Sequence, residues 1–162
     1  FFAGMQVVIR KAEARDVPAM LELVRELAAF EKEPESVTVT EEHMRAAGFG
    51  PDPVWFGWVA VVDGAIRGMA VCYERYSTWR GRCLYLEDIV VTEAARGRRV
   101  GEKLFRACAA HALEQGHHHM LWQVLDWNAS AQRFYESLGA RRLAEWWPYR
   151  LDGDGIRALA GE

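Results

Sequence analysis

Leu86-Glu-Asp-Ile-Val-Val-Thr-Glu-Ala-Ala-Arg-Gly-Arg-Arg-Val-Gly101 is the stretch on which the reading of this chain turns. It begins as a β-branched strand, passes through a short polar connection and enters a helix through an Arg/Gly-rich turn. The spacing predicts a helix from about Arg98 to Glu114, with Val100, Leu104, Ala107 and Cys108 on one apolar face. The first amide N–H groups of a helix have no internal partners, and the helix dipole favours negative charge there. A strand that feeds a helix through such a turn is therefore an anion site. Arg96, Arg98 and Arg99 surround it, which suits a pyrophosphate. The turn alone fits an ordinary βα connection with a solvated basic surface equally well. It lacks the Gly-Lys-Ser/Thr of a P-loop and the Gly-x-Gly-x-x-Gly of a dinucleotide fold, so the rest of the chain has to decide.

Upstream, Met5–Lys11 is apolar and β-branched enough for a first strand. Asp16 stands at an N-cap position with Pro18 in the first turn, and Val17, Met20, Leu21, Val24, Leu27 and Ala28 recur at helical spacing to about Phe30. The acidic run from Glu31 to Glu35 reads as a solvated loop, although carboxylates there could also hold an amine. Thr40 caps a short second helix that ends at Gly48. Trp55–Val62, an Asp63-Gly64 turn and Ala65–Tyr76 form a hairpin, and Arg82–Thr92 completes a three-stranded antiparallel meander. Downstream of the central helix, Met120–Leu125 is a further strand. Asn128 opens a last amphipathic helix with Ala131, Phe134, Tyr135 and Leu138 on its stripe, ended by Gly139. Arg142–Leu151, interrupted by Pro148, reads as a final strand or strand pair before a short terminal helix.

The 162 residues, 51% hydrophobic, suit one globular domain, taken as 5–162, with Phe1–Gly4 read as sequence ahead of a natural start at Met5. A formal net charge of −3 argues against a nucleic-acid surface and is compatible with a cationic substrate. Cys72, Cys83 and Cys108 form neither a Cys-x-x-Cys pair nor an even framework, so buried thiols in a reducing cytoplasm are expected. No apolar run approaches the roughly 20 residues of a membrane span, and no secretory signal is visible. Consecutive His117–His119 point to alternate faces of an extended chain and make no ready chelate, so no metal is expected.

The order β-α-α-β-β-β-α-β-α-β, with a basic turn after the fourth strand, resembles the GCN5-related N-acetyltransferase (GNAT) superfamily. Asn128-Ala-Ser-Ala-Gln-Arg-Phe-Tyr135-Glu-Ser-Leu-Gly139-Ala is similar to its Asn-…-Phe-Tyr-…-Gly signature. Phe30-Glu31, Gly48-Phe49-Gly50, Tyr76-Ser-Thr-Trp79, Leu84-Tyr-Leu-Glu-Asp-Ile89 and Val124-Leu-Asp-Trp-Asn128 resemble the diamine (polyamine) N-acetyltransferase family. Ser77–Arg82 and Leu125–Asn128 look most like its branch acting on thialysine, a lysine analogue with sulfur in its side chain. One position departs from the superfamily turn Arg/Gln-x-x-Gly-x-Gly/Ala: Arg96 and Gly101 match, but Arg99 stands where the middle glycine usually is. The turn still works if Arg99 takes a helical φ, where a side chain is tolerated.

The resemblance implies an α/β (α+β) fold, with a mixed, mostly antiparallel sheet splayed at an acetyl-CoA site and flanked by helices. It implies main-chain pairing of Ile89, Val90 and Val91 with the pantetheine arm. The pyrophosphate would be held by the amides of Arg96, Gly97, Val100 and Gly101 and the charge of Arg98 and Arg99, with Asn128 and Tyr135 also on the cofactor side. An alkylamine with a pKa near 10.4 is about 4.6 kcal/mol from its neutral form at pH 7, so a base is needed. The resemblance favours Glu87, through water, with Asp88 a substrate-binding residue, and strand alternation puts these two on opposite faces. A backbone N–H near Ile89 or Val90 would meet the oxyanion. Tyr135, a phenol, would be the acid for the leaving thiolate. Glu31, Trp79 and Tyr149 are implied near a small cationic amine, where a carboxylate and aromatic faces suit an ammonium group. A homodimer with packed or exchanged C-terminal strands is implied too. A peptide N-acetyltransferase would share this chemistry. A non-catalytic acyl-CoA-binding module would keep the turn but lose Glu87 and Tyr135.

Overall fold

In a computed structural model, residues 6–161 are described, so the readings of Phe1–Gly4 and of a start at Met5 lie outside the described residues. The chain divides into two compact units, residues 1–123 and 124–162.

The first unit is a five-stranded sheet in the order β1 (Val7–Lys11), β2 (Phe56–Val62), β3 (Ala65–Ser77), β4 (Gly81–Val91) and β5 (Met120–Leu121). Its first four strands are antiparallel, and β5 pairs parallel with β4, giving the mixed, mostly antiparallel sheet that was expected. Asp63 and Gly64 both adopt positive φ, 50° and 81°, and so make the tight hairpin whose twist matches its strands. One face of the sheet is covered by α1 (Val17–Phe30) and α2 (Glu41–Phe49), which bury Val17, Met20, Leu21 and Met44 against Val59, Met69, Val71 and Val90. The other face is covered by α3 (Val100–Glu114), whose Val100, Leu104 and Cys108 pack on Ala60, Ala70, Cys72, Leu84 and Leu86. At Gly68 a Cβ would lie 2.9 Å from the Val90 carbonyl and 3.3 Å from Leu104. Glycine there lets the first turns of α3 settle directly on the sheet.

Thr40 caps α2, its hydroxyl accepting the His43 N–H at 3.2 Å. Asp16 precedes α1, but its side chain makes no cap bond. It accepts two bonds from the Arg10 guanidinium (2.7 and 2.8 Å) and one from the Glu13 N–H (2.8 Å). A buried carboxylate gains more from an arginine fork than from a helix amide, and this overrides the cap expected of it. The fifth strand is shorter than the expected Met120–Leu125.

In the second unit, α4 (Ala129–Ser137) is capped by Asn128, whose Oδ1 accepts the Ala131 N–H at 3.2 Å, and α5 spans Gly153–Ala160. The expected final strand at Arg142–Leu151 is not formed. This stretch is almost wholly exposed, so no burial compensates the entropy of ordering it, and Pro148 removes a ladder donor.

Candidate active site

The geometry of the site starts from a β-bulge. Cys72 pairs with Leu86 and Val71 with Asp88, so Glu87 is an extra residue on β4. A bulge resets the two-residue alternation of a strand. Leu86 and Ile89 both contribute to the α3-side cluster, and the two residues between them turn to the α1 side together. Glu87 and Asp88 therefore share a face, correcting the expectation from simple alternation.

The electrostatics agree with this placement. Asp88 is half-buried, and its carboxyl is pushed up to about 6 by burial first and then by the charges of Glu87 and Glu31. Glu31 is half-buried just past the end of α1, and its carboxyl is raised by desolvation. Glu87 is exposed beside Tyr73, and burial and then the Glu87 charge raise that phenol. Three carboxylates of one sign thus gather where α1 ends over β4.

Beside them the sheet opens. β5 meets β4 only at Leu84↔Met120 and Tyr85↔Leu121. Among the described residues, no strand pairs with Leu86–Val91 on that side. Outward-facing main-chain groups around Ile89–Val91 are therefore available for an added strand, while the Val90 carbonyl faces Gly68 of β3 and the Val91 carbonyl accepts from Arg96.

The edge leads to the basic turn. The Arg96 N–H is already bonded to the Glu93 carbonyl (3.1 Å), which removes it from the expected set of anion-holding amides. Its guanidinium donates to Val91 O at 3.4 Å and lies 5.9 Å from the Phe30 ring centre, linking the ends of β4 and α1. The Lys103 N–H bonds to Arg99 O at 3.0 Å. The amides of Val100, Gly101 and Glu102 precede it in the first turn and have no residue four back inside the helix to bond. Gly97 has φ 76° and Arg99 φ 57°. The helical φ expected of Arg99 is thus left-handed, a conformation costing a side chain roughly 1–2 kcal/mol. This strained residue also moves the helix start from the expected Arg98 to Val100. Donors and charge here suit a pyrophosphate, and the open edge suits the amide-bearing arm of an acyl-CoA.

Trp79 lies at the exposed tip of the β3–β4 hairpin. Gly81 alone is about 20 Å along the strand from Glu87, so this unit does not bring Trp79 to the carboxylates. In the second unit Tyr135 is half-buried on α4, its ring 5.3 Å from that of Phe134. The carboxamide oxygen of Asn128 is engaged in its cap. Tyr149 is 96% exposed. Sequence reasoning missed Tyr73, Tyr85 and Arg75 on the face of Glu87. Tyr85 and Glu87 are two apart, which was the available signal.

The fold and this site define an acyltransferase of the GNAT type, and the sequence agrees. Residues 17–140 match the Acetyltransferase (GNAT) family, and the chain belongs to that family. It is an N-acetyltransferase similar along nearly its whole length to thialysine N-epsilon-acetyltransferases. It is 40% identical to that of Bos taurus over 96% of this chain and 98% of the relative, and 39% identical to that of Mus musculus over 94% and 96%. The chain shares the fold of an integron cassette protein from the mobile metagenome of V. cholerae, with a TM-score of 0.81 at 22% identity over 98% of this chain and 100% of that one. An aminoglycoside N-acetyltransferase in complex with CoA superposes with a TM-score of 0.75 at 20% identity, over 93% and 98%. No helix among the described residues is long and apolar enough to cross a membrane, and no group of three or more His, Cys, Asp or Glu among them could hold a metal.

Proposed function

We propose that this enzyme transfers the acetyl group of acetyl-CoA to the side-chain amine of a small lysine-like amino acid. The observation that carries this reading is the bulge at Glu87, which turns Glu87 and Asp88 to the same side as Glu31, next to an unpaired strand edge. A primary amine arrives as an ammonium, and clustered carboxylates attract it. The relatives named for thialysine support the lysine-like class. Acetyl-CoA supplies an activated acyl carbon. Ile89–Val91 would pair with its arm, and Gly97–Gly101 would hold its pyrophosphate.

Glu87 acts as the base, through water, and Tyr135 as the acid for the departing thiolate. A second reading of the base is favoured by one observation. Burial brings the Asp88 carboxyl to about 6, closer to the working range of a general base than an ordinary carboxylate. The two units work as one domain, a reading supported by the family match running from 17 to 140 across their boundary. Three free, buried cysteines support a reducing, cytoplasmic setting. The exposure of Trp146, Trp147 and Tyr149 supports a homodimer.

The test is an acceptor panel with acetyl-CoA, following thiol release: thialysine, lysine, putrescine, spermidine and a peptide N-terminus. Thialysine and lysine are expected to turn over fastest. Tyr135→Phe is expected to keep acetyl-CoA binding and lose about 10²-fold in kcat. Release only with the peptide refutes the small-molecule reading, and an unchanged kcat removes Tyr135 from the mechanism. Comparing the pH profiles of Glu87→Gln and Asp88→Asn separates the two bases.

A further inference from the structure

The face that carries Glu87 and Asp88 continues outward along the β3–β4 arm, and its chemistry changes in order. The carboxylates come first. Next are Tyr73 and Tyr85, cross-strand partners with ring centres 4.9 Å apart and planes 27° from parallel. Last is Arg75, two residues from Tyr73 on the same face, with its guanidinium carbon 5.9 Å from the Tyr85 ring centre. Both phenols sense both ends: burial and Glu87 raise them, while Arg75 lowers them. The positive end is reinforced by Arg80. Burial first, then Arg80, His118 and Arg75, hold the His119 ring below its ordinary value. Arg82, on the opposite face, is paired with Glu74 at 3.1 Å. Among the described residues no carboxylate lies within ion-pair distance of the exposed Arg75.

We infer that Arg75 is a specificity-determining residue. It receives the carboxylate of an amino-acid acceptor that lies along Tyr73 and Tyr85 with its side-chain amine at Glu87 and Asp88. This rests on the acetyltransferase reading of the carboxylate site. In an extended lysine-like molecule the terminal nitrogen lies about 7 Å from the carboxylate. With a hydrogen bond of about 3 Å at each end the span is about 13 Å, which four strand residues cover, here from Cys83, the cross-strand partner of Arg75, to Glu87. A diamine or polyamine would instead bring a second ammonium to a guanidinium, so the same residue that welcomes an amino acid disfavours a polyamine.

The experiment compares kcat/KM of the full chain for lysine and for 1,5-diaminopentane, which differ only by the carboxylate, at saturating acetyl-CoA. The wild type is expected to favour lysine. Arg75→Glu is expected to shift the ratio towards the diamine by about tenfold, the scale of one partly screened attraction exchanged for repulsion. The shift should lie in KM, with kcat and the KM for acetyl-CoA unchanged, and should shrink at high salt. Arg75→Gln should give part of the shift, and Arg75→Lys should retain most of the preference. A ratio that stays within twofold in Arg75→Glu, or one that moves through kcat alone, overturns the role of Arg75 and leaves the site reading standing. A wild type that releases no thiol with any amine overturns both.

Discussion

Asp16 and Asp88 are the same residue type, each drawn partly out of water, and their surroundings treat them in opposite ways. At the start of α1, the Arg10 fork and the Glu13 N–H hold the Asp16 carboxyl below its ordinary value, against the opposing push of burial. Where α1 ends over β4, Asp88 has no such fork, and burial with two neighbouring carboxylates raises it to about 6. The first region spends a charge on holding the chain together. The second keeps a charge that destabilises the fold, beside a left-handed Arg99 and an unpaired strand edge. Unfavourable features that gather at one edge of an otherwise well-packed sheet mark the part of the molecule that serves a ligand.

Breaking the first region gives the largest expected effect on stability. Asp16→Ala leaves the Arg10 guanidinium, 29% exposed, without its fork. Removing one partner of a buried pair costs about 3 kcal/mol. Urea unfolding should show that loss, while turnover per folded molecule at the distant β4 edge stays unchanged. A loss under about 1 kcal/mol would put Asp16 among ordinary surface ion pairs and dissolve the contrast.

Asp88→Asn should move stability the other way. The folded carboxyl titrates at about 6, above the unfolded value near 3.8. The folded state therefore binds the proton more tightly, and the wild type loses stability as pH rises through that window. Asparagine removes the charge, so the variant should be more stable by about 1–2 kcal/mol above pH 6. The difference should disappear below about pH 4. Asp16 supplies the opposite sign: its carboxyl is lowered, and its contribution is lost as pH falls. Thermal melts of wild type and Asp88→Asn from pH 4 to pH 8 check the Asp88 window, and parallel curves would mean that Asp88 sits in ordinary solvent.

Most of the fold could be read from local chemistry. The hydrophobic spacing of α1 and α3, the Asp63-Gly64 turn and the caps at Thr40 and Asn128 are decided within a few residues. What escaped was decided across strands or by burial. The bulge at Glu87 belongs to the pairing of β4 with Val71 and Cys72, and no pattern within β4 announces it. Asp16 looks like a cap until Arg10 is known to be beside it. Arg142–Leu151 has a strand's composition but remains exposed and unpaired. The basic turn at Arg96 was visible in the chain. The Tyr73–Tyr85–Arg75 face was not, because it needs the register of two strands.

Arg99 gives the smallest effect, and it tests whether strain at the β4 edge is being maintained for a ligand. Its φ of 57° suits glycine. Arg99→Gly removes the strain but adds unfolded-state freedom, for a net gain of about 0.5 kcal/mol. Arg99→Ala keeps the strain and loses the guanidinium, so it should be less stable than Arg99→Gly by about 1 kcal/mol. If the guanidinium faces the pyrophosphate, both variants should raise the KM for acetyl-CoA about threefold, the worth of one exposed charge pair. The glycine variant would then be sturdier than the wild type and bind its co-substrate less well. Equal melting points for the two variants would show that the left-handed turn carries no strain. An unchanged KM in both would mean that the arginine is simply tolerated at a position that glycine would fill more cheaply.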